Sequence, residues 1–222
     1  TTAASNGSVN SMHDSYTPIG GMVPIILMGL GEIIGGGIGC GLYGMIGFVI
    51  LTVFIAGLMV GRTPEYLGKK IGPKEMRMAV ILCITTPLLI LVGAGIMSLD
   101  PATANSLNNP GVHGFSEVLY AATSAGGNNG SAFAGFNGNT PLINLVLGFE
   151  MLANRFIPIA AVCVLAGSLA VRPKVATSAG TLSTSNALFV FLLVLMVLLI
   201  GALTMFPALA LGPVAEQLMM VL

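Results

Sequence analysis

Long apolar stretches alternate with short polar or glycine-rich stretches along the whole chain. Residues 78–98 and 187–207 carry no charge, and each is long enough to cross a hydrocarbon core, which needs about 20 apolar residues. Residues 22–61 and 142–170 are longer, so each must tilt, bend or break. The pattern predicts an all-α integral membrane protein with about four membrane passes.

Composition supports the membrane assignment and argues against several classes of function. Hydrophobic residues make up 55% of the chain and charged residues 7%, whereas soluble domains carry about 25% charged residues. The formal net charge is zero, which argues against nucleic acid as a partner. Cys40, Cys83 and Cys163 lie in or beside predicted membrane segments without a Cys-x-x-Cys spacing, so neither a disulfide framework nor a zinc site is implied.

One sequence unit occurs twice. Asn6-Gly7-Ser8 recurs as Asn129-Gly130-Ser131, and Thr17-Pro18 recurs at the same offset as Thr140-Pro141. Each copy places small polar and glycine residues directly before a long apolar stretch. This arrangement is typical of a re-entrant pore loop that leads into a membrane helix.

In the second copy, residues 114–123 predict a short pore helix and residues 124–130 an extended segment after it. Glycine and asparagine accept positive φ, so successive carbonyl oxygens can point at one axis and replace the water around a monovalent cation. An ordinary glycine-rich turn is the alternative, but it does not explain two copies before membrane helices. Two loops cannot surround an ion, so we expect further loops from another part of the protein or from other subunits.

Seven of the eight Lys and Arg residues fall in two loops on the same side of the predicted membrane. By the positive-inside rule this side is cytoplasmic, which puts both Asn-Gly-Ser loops and residues 208–222 on the outer side. The larger basic loop, residues 62–77, could bind anionic lipid, dock a partner, or both. The seven residues are Arg62, Lys69, Lys70, Lys74, Arg77, Arg172 and Lys174.

The eighth basic residue, Arg155, lies inside the apolar stretch of residues 142–170. A charge at the centre of a membrane helix costs about 2.5 kcal/mol or more unless it faces water or a partner, so Arg155 should point inward. Pairing with Glu150 or another buried carboxylate is the alternative, although five positions along a helix put Arg155 and Glu150 on different faces.

Residues 31–39 interrupt the first apolar stretch with five glycines around Glu32. Each glycine disfavours a continuous helix by about 1 kcal/mol relative to alanine, so we expect a loop between two half-helices. Close helix packing through glycine is the competing explanation. Elsewhere, His13 and Asp14 are expected to hold the first loop on the outer face, and His113 to lie at the polar entry of the pore helix.

Four stretches closely resemble the A subunit of the Kdp-type potassium-importing ATPase: SAFAG at residues 131–135, NSMHDS at 10–15, GLMVGRTPEYLGKK at 57–70 and SAGTL at 178–182. The resemblance extends over essentially all 222 residues. It implies the M1-P-M2 pore-loop repeats of the potassium-channel superfamily, and a chain that is the C-terminal fragment of that subunit.

By this resemblance, residues 1–76 are the third pore repeat from its filter onward, residues 77–185 are the fourth repeat, and residues 186–222 are the last transmembrane helix with an extracytoplasmic C-terminus. The implied potassium filter comprises Ser5, Asn6, Gly7, Asn128, Asn129 and Gly130, with the ion at Gly7 and Gly130. The implied ion path and gating residues are Glu32, Gly35, Gly36, Gly37 and Arg155.

The resemblance further implies a potassium-binding and translocating subunit of an ATP-driven import complex in a bacterial or archaeal plasma membrane. Its partners would be a catalytic P-type subunit that hydrolyses ATP and small accessory membrane subunits, and it would need no organic cofactor. The alternative is a stand-alone potassium symporter or channel-type uptake protein with the same repeats. An intramembrane enzyme is disfavoured, because the sequence offers no paired nucleophile and base.

Overall fold

The computed structural model describes residues 1–31, 33–37, 40–59, 61–176 and 181–222. Apart from one short hairpin, all of its regular secondary structure is helical. The helices are α1 Pro18–Gly31, α2 Cys40–Met59, α3 Pro73–Leu99, α4 Pro101–Ala104, α5 Val112–Gly126, α6 Pro141–Val171, α7 Ala187–Leu209 and α8 Ala215–Val221. The hairpin pairs β1 Glu65–Tyr66 with β2 Lys69–Lys70 in the basic loop.

Four helical segments are long and apolar enough to cross a membrane: Cys40–Met59, Pro73–Leu99, Pro141–Val171 and Ala187–Val221. The predicted all-α integral membrane class with four passes is therefore confirmed. Segment Pro141–Val171 is one continuous helix in spite of Pro158. The last segment joins α7 to α8 through a π-helical turn at Ala210–Val214. Pro213 in this turn has no backbone N–H to donate to the helical hydrogen-bond pattern.

The predicted break in the first apolar stretch is also confirmed. Helix α1 ends at Gly31 and α2 begins at Cys40. Gly35 has a positive φ of 73° and no heavy atom within 4 Å of an added side-chain carbon, whereas such a carbon on Gly36 would collide with the backbone oxygen of Gly31. These glycines serve the turn itself, which favours the loop interpretation over close helix packing. Glu32 lies outside the described residues.

The two basic loops contact each other at one end of the bundle. Lys69 Nζ donates to the backbone oxygen of Leu169 at 2.6 Å, and the N–H of Val175 donates to Gly68 at 2.7 Å. We call this the basic-loop end. The opposite end holds residues 5–8, residues 128–131 and α8, and we call it the pore-loop end. The C-terminal helix and both Asn-Gly-Ser loops thus share one end, as the sequence predicted.

Helix α5 is the buried centre of the pore-loop end. Leu119 and Tyr120 are fully buried, and they pack with Ile25 of α1, Met97 of α3 and Ile143 of α6. Because α5 is wrapped by helices from both halves of the chain, its C-terminus is held at a fixed place among them. The two pore loops meet at that place.

Candidate functional site

The C-terminus of α5 ends in a tight turn that leads into residues 128–131, the second pore loop. Asn128 has a positive φ of 50°. Its N–H donates to the backbone oxygen of Ala125 at 3.0 Å, and the N–H of Asn129 donates to that of Ser124 at 2.8 Å. These two bonds form a Schellman motif, which satisfies the last carbonyl groups of the helix.

The predicted extended segment of residues 124–130 is therefore wrong over residues 124–126, which form the last turn of α5. Small side chains allow this extra turn to pack tightly. A side-chain carbon added to Gly126 would lie 2.5 Å from Cγ1 of Ile90 and 3.1 Å from Nδ2 of Asn154. The predicted pore helix at residues 114–123 lies wholly inside α5.

Residues 5–8, the first pore loop, repeat the same turn. Ser5 has a positive φ of 52°. Its N–H donates to the oxygen of Thr2 at 3.3 Å, and the N–H of Asn6 donates to that of Thr1 at 3.0 Å. In both loops the asparagine Oδ1 then accepts a bond of 3.0 Å from the N–H of the serine two residues on. The sequence duplication is thus a duplication of backbone structure.

The two pore loops contact each other directly. A side-chain carbon added to Gly7 would lie 3.0 Å from both the backbone oxygen of Asn129 and the carbonyl carbon of Gly130. Ser5 Oγ donates to the oxygen of Gly127 at 3.0 Å. Two predicted filter segments, far apart in sequence, are therefore brought together as main chain against main chain. Gly130 has a positive φ of 93°, a conformation that favours glycine.

Six backbone oxygens of the two pore loops accept no hydrogen bond from any described residue. All of the residues that carry them except Asn129 are partly or fully exposed on this chain, so their oxygens are open to an ion or to another part of the protein. Gly7 and Gly130 are both exposed on the surface of this chain. The oxygens belong to Ser5, Asn6, Gly7, Asn128, Asn129 and Gly130, the predicted filter residues.

A polar cluster at the pore-loop end holds residues 13–15, which follow the first pore loop, against α5 and α8. His113 Nε2 lies 2.8 Å from Oδ1 of Asp14, and its Nδ1 lies 2.8 Å from Oε1 of Glu216. Oδ2 of Asp14 accepts from the side-chain amides of Asn108 and Asn109 at 2.9 and 3.0 Å. Asp14 thus anchors the segment that follows the first pore loop, a holding role that the sequence predicted, whereas the bridge from His113 to Glu216 was not predicted.

Ligand atoms of Asp14, His113 and Glu117 lie within 4.8 Å of one another, which is close enough to hold a metal ion. Each of these atoms already has a protein partner, however. Both oxygens of Glu117 accept from backbone N–H groups, of Asn108 and Asn109, at 2.8 Å. Burial alone would lower the pKa of His113, but its bonds to Asp14 and Glu216 and their negative charges raise it above the usual 6.5. An imidazolium held between carboxylates accounts for the cluster.

Arg155 lies on α6 about one turn beyond the level of the second pore loop. Nδ2 of Asn128 donates to the backbone oxygen of Met151 at 3.3 Å, and Arg155 follows four residues later, about 6 Å further towards the basic-loop end. Arg155 is half-buried. Both oxygens of Glu150 lack a hydrogen-bond partner among the described residues, so the two residues do not form an ion pair.

Sequence reasoning missed three side-chain arrangements that need long-range contacts. Glu75 is buried and accepts from Nε and Nη2 of Arg172 at 2.9 and 2.8 Å. Glu150 fills the space beside Gly93 of α3. The side-chain amide of Asn129 donates to the oxygens of Thr1 and Thr2, which also accept the turn bonds of the first pore loop. Only the charge of Glu150 within an apolar stretch gave a sequence signal.

Comparison with known proteins gives concordant matches. The family model described as "Potassium-transporting ATPase A subunit" matches residues 1–218. A potassium-transporting ATPase potassium-binding subunit from Clostridium botulinum is 69% identical over 216 residues, which cover 97% of this chain and 37% of that protein. The protein of the same name from Desulfovibrio desulfuricans is 66% identical over 220 residues, covering 99% and 38%. That from Listeria monocytogenes is 59% identical over 216 residues, covering 97% and 38%. The chain thus spans well under half the length of these relatives.

Proposed function

The chain belongs to the family of potassium-transporting ATPase A subunits, and from this premise we propose that it supplies half of a potassium-selective filter within an ATP-driven import complex. The observation that carries this proposal is the row of unpaired backbone oxygens in the two touching pore loops. Carbonyl oxygens on converging loops replace the hydration shell of a dehydrated monovalent cation. Potassium is the cargo, and the chain itself performs no covalent chemistry.

In this proposal the ion is bound by main-chain oxygens near Gly7 and Gly130, with Ser5, Asn6, Asn128 and Asn129 completing the two loops. Two loops present oxygens from one side only, so two more must come from the remaining length of the protein. Residues 1–76 and 77–185 are then the third and fourth pore repeats, and residues 186–222 the last transmembrane helix with an extracytoplasmic C-terminus. The matching turns of the two loops support this division.

Below the filter, we assign the glycine loop between α1 and α2, with Gly35, Gly36 and Gly37, to gating of the ion path. Glu32 is the carboxylate expected to meet the cation there. Arg155 lies one helical turn beyond the loop on α6, where a fixed positive charge would keep potassium from passing freely. The break between α1 and α2 supports this assignment, because a loop can move without unfolding a membrane helix.

The partners in this proposal are a catalytic P-type subunit that hydrolyses ATP, small accessory membrane subunits and the lipid bilayer of a bacterial or archaeal plasma membrane. The basic-loop end would face the cytoplasm, because the seven loop Lys and Arg residues gather there. The names of the relatives, which describe potassium-binding subunits of an ATPase, support a complex.

Purification of the full-length protein from its native membrane tests the proposal against a stand-alone symporter or channel. We expect a P-type ATPase subunit to copurify, and potassium to stimulate its ATP hydrolysis. A protein that purifies alone and takes up potassium in proteoliposomes without ATP would contradict the proposal and support the stand-alone alternative. Sodium chloride at equal ionic strength is the control for a general salt effect.

A further inference from the structure

The side-chain amide of Asn129 makes four hydrogen bonds: its oxygen accepts two and its nitrogen donates two. It is buried, with 6% of its surface exposed. Its Oδ1 accepts from the backbone N–H of Ser131 at 3.0 Å and from Oγ of the same residue at 2.5 Å. Its Nδ2 donates to the oxygen of Thr1 at 3.0 Å and to that of Thr2 at 3.1 Å. The amide therefore joins the second pore loop to the two carbonyl groups on which the turn of the first pore loop is built.

A chain of buried hydroxyl and imidazole groups fixes this orientation. Tyr120 OH lies 2.9 Å from Oγ of Ser131 and 2.7 Å from Nδ1 of His13. The Ser131 hydroxyl donates its hydrogen bond to Asn129, so it can only accept from the Tyr120 hydroxyl. The Tyr120 hydroxyl then accepts in turn, and His13 donates its Nδ1–H to it. The protons thus run in one direction, from His13 to Asn129. If the amide were flipped, its NH₂ group would face the backbone N–H of Ser131, and two donors would oppose each other.

The chain of bonds ties together both copies of the loop. His13 follows the first pore loop, Tyr120 lies in α5, and Ser131 belongs to the second pore loop; all three are at least nine-tenths buried. Phe133 packs against the Tyr120 ring, with 4.3 Å between centroids. Burial lowers the pKa of His13, which keeps the imidazole neutral near pH 7 and free to act as a single directed donor.

We propose that the Asn129 amide, oriented by Ser131, Tyr120 and His13, is a positioning element that fixes the spacing between the two pore loops and thereby discriminates between alkali cations by size. This inference rests on the proposed filter function. The reason is mechanical: Asn129 Oδ1 and Nδ2 hold the second loop and the Thr1–Thr2 carbonyls at hydrogen-bond distances, so the neighbouring backbone oxygens cannot spread to fit a larger ion. A filter held only by apolar contacts would adapt to potassium and rubidium alike.

The test uses the full-length subunit in its purified complex and measures binding of potassium chloride and rubidium chloride by titration calorimetry. Tyr120→Phe keeps the ring and removes the hydroxyl that connects His13 to Ser131. Ser131→Ala removes the hydroxyl next to Asn129 and keeps the backbone N–H. Tyr16→Phe is the matched control, because the Tyr16 hydroxyl bonds to Ser11 and lies outside the chain of bonds to Asn129.

We expect potassium affinity to fall roughly three- to tenfold in both test variants, as for the loss of one buried hydrogen bond, with a smaller change for rubidium, so that the ratio of the two affinities moves towards one. The control should keep the wild-type ratio. The melting temperature in choline chloride reports on folding separately. If Tyr120→Phe does not fold, the affinity ratio of Ser131→Ala decides whether the inference holds.

A folded variant with an unchanged potassium-to-rubidium ratio overturns the inference, even if its melting temperature falls, because the network is then only structural. An absence of potassium binding by the wild-type complex would instead contradict the proposed function. The two failures are therefore distinguishable.

Discussion

Gly7 faces the backbone oxygen of Asn129 so closely that a side-chain carbon at Gly7 would lie 3.0 Å from it. The two residues are far apart in sequence and belong to the two copies of one duplicated loop. The main chain of Gly7 therefore lies directly against the main chain of Asn129 and Gly130. This contact supports the proposal that the two loops are parts of a single filter.

Gly93 on α3 gives space to the carboxyl group of Glu150 on α6. An added side-chain carbon at Gly93 would overlap that carboxyl group and lie 3.2 Å from Cγ1 of Val146. We expect Gly93→Ala to lower the free energy of unfolding by about 1–3 kcal/mol, as overpacked cores do. The measurement is denaturation of the full-length protein in detergent micelles.

Gly95→Ala is the matched control for this prediction, because no heavy atom lies within 4 Å of an added carbon at Gly95. It should be neutral or stabilise α3 by up to about 1 kcal/mol. The double variant Gly93→Ala with Glu150→Ala should lose less than the sum of the single changes, since the overlap is then relieved. Equal losses in the Gly93 and Gly95 variants would contradict the contact.

The His113 bridge predicts a pH-dependent attachment of the C-terminal helix α8. The pKa of His113 is raised above 6.5 in the folded protein, so the stabilisation is complete below about pH 6.5 and is lost as pH rises through the raised value. The carboxylates of Asp14, Glu117 and Glu216 face or adjoin the imidazole. The stability difference between wild type and His113→Gln should therefore shrink from about pH 6 to about pH 9.

Melting temperatures of both proteins across that range measure the His113 effect. Glu216→Gln serves as a second variant, because it removes one of the two carboxylates and should reduce the pH dependence without abolishing it. A stability difference that grows with pH would show that the neutral imidazole, and not the imidazolium, holds α8 in place.

The pair formed by Glu75 and Arg172 joins the start of α3 to the end of α6 at the basic-loop end. Glu75 is fully buried, and Ser168 Oγ and the N–H of Gly72 also donate to it. Arg172→Ala leaves this carboxylate without its cation, so we expect a loss on the order of 3 kcal/mol in unfolding free energy. Arg172→Lys should recover only part, because lysine cannot form the two-point contact.

Arg77→Ala is the matched control for Arg172→Ala, because its guanidinium makes a 3.4 Å bond to Pro73 and no ion pair within the described residues. Its effect should stay within about 0.5 kcal/mol. Chemical denaturation of the three variants side by side gives the comparison. Similar losses for Arg77→Ala and Arg172→Ala would mean that the ion pair adds nothing to the general effect of surface charge.

The sequence predicts the elements that depend on local pattern. Apolar length predicts the four membrane segments, and the glycine density at residues 31–39 predicts the break between α1 and α2. Duplication of Asn-Gly-Ser predicts two equivalent loops. These signals are local because helix length, backbone freedom and repetition can be read without knowing any neighbour.

What the sequence misses depends on neighbours that are distant in the chain. Helix α5 continues to Gly126 because Ile90 and Asn154 leave room for a last turn of small residues, and neither contact is visible in the local pattern. The amide of Asn129 is a bridge only because the Thr1–Thr2 carbonyls happen to lie beside it. An asparagine next to a glycine otherwise indicates only a turn.

Potassium-stimulated ATP hydrolysis by the full-length complex carrying Gly7→Ser or Gly130→Ser, measured at low and at high potassium, tests the filter most directly. A serine side chain at Gly7 would press on the second loop, and at Gly130 it would strain a backbone of φ 93°. Gly148→Ser is the control, because Gly148 has open space around it. We predict that both test variants lose apparent potassium affinity by at least roughly tenfold while the control does not. Unchanged apparent affinity in both variants would remove these glycines from the ion site.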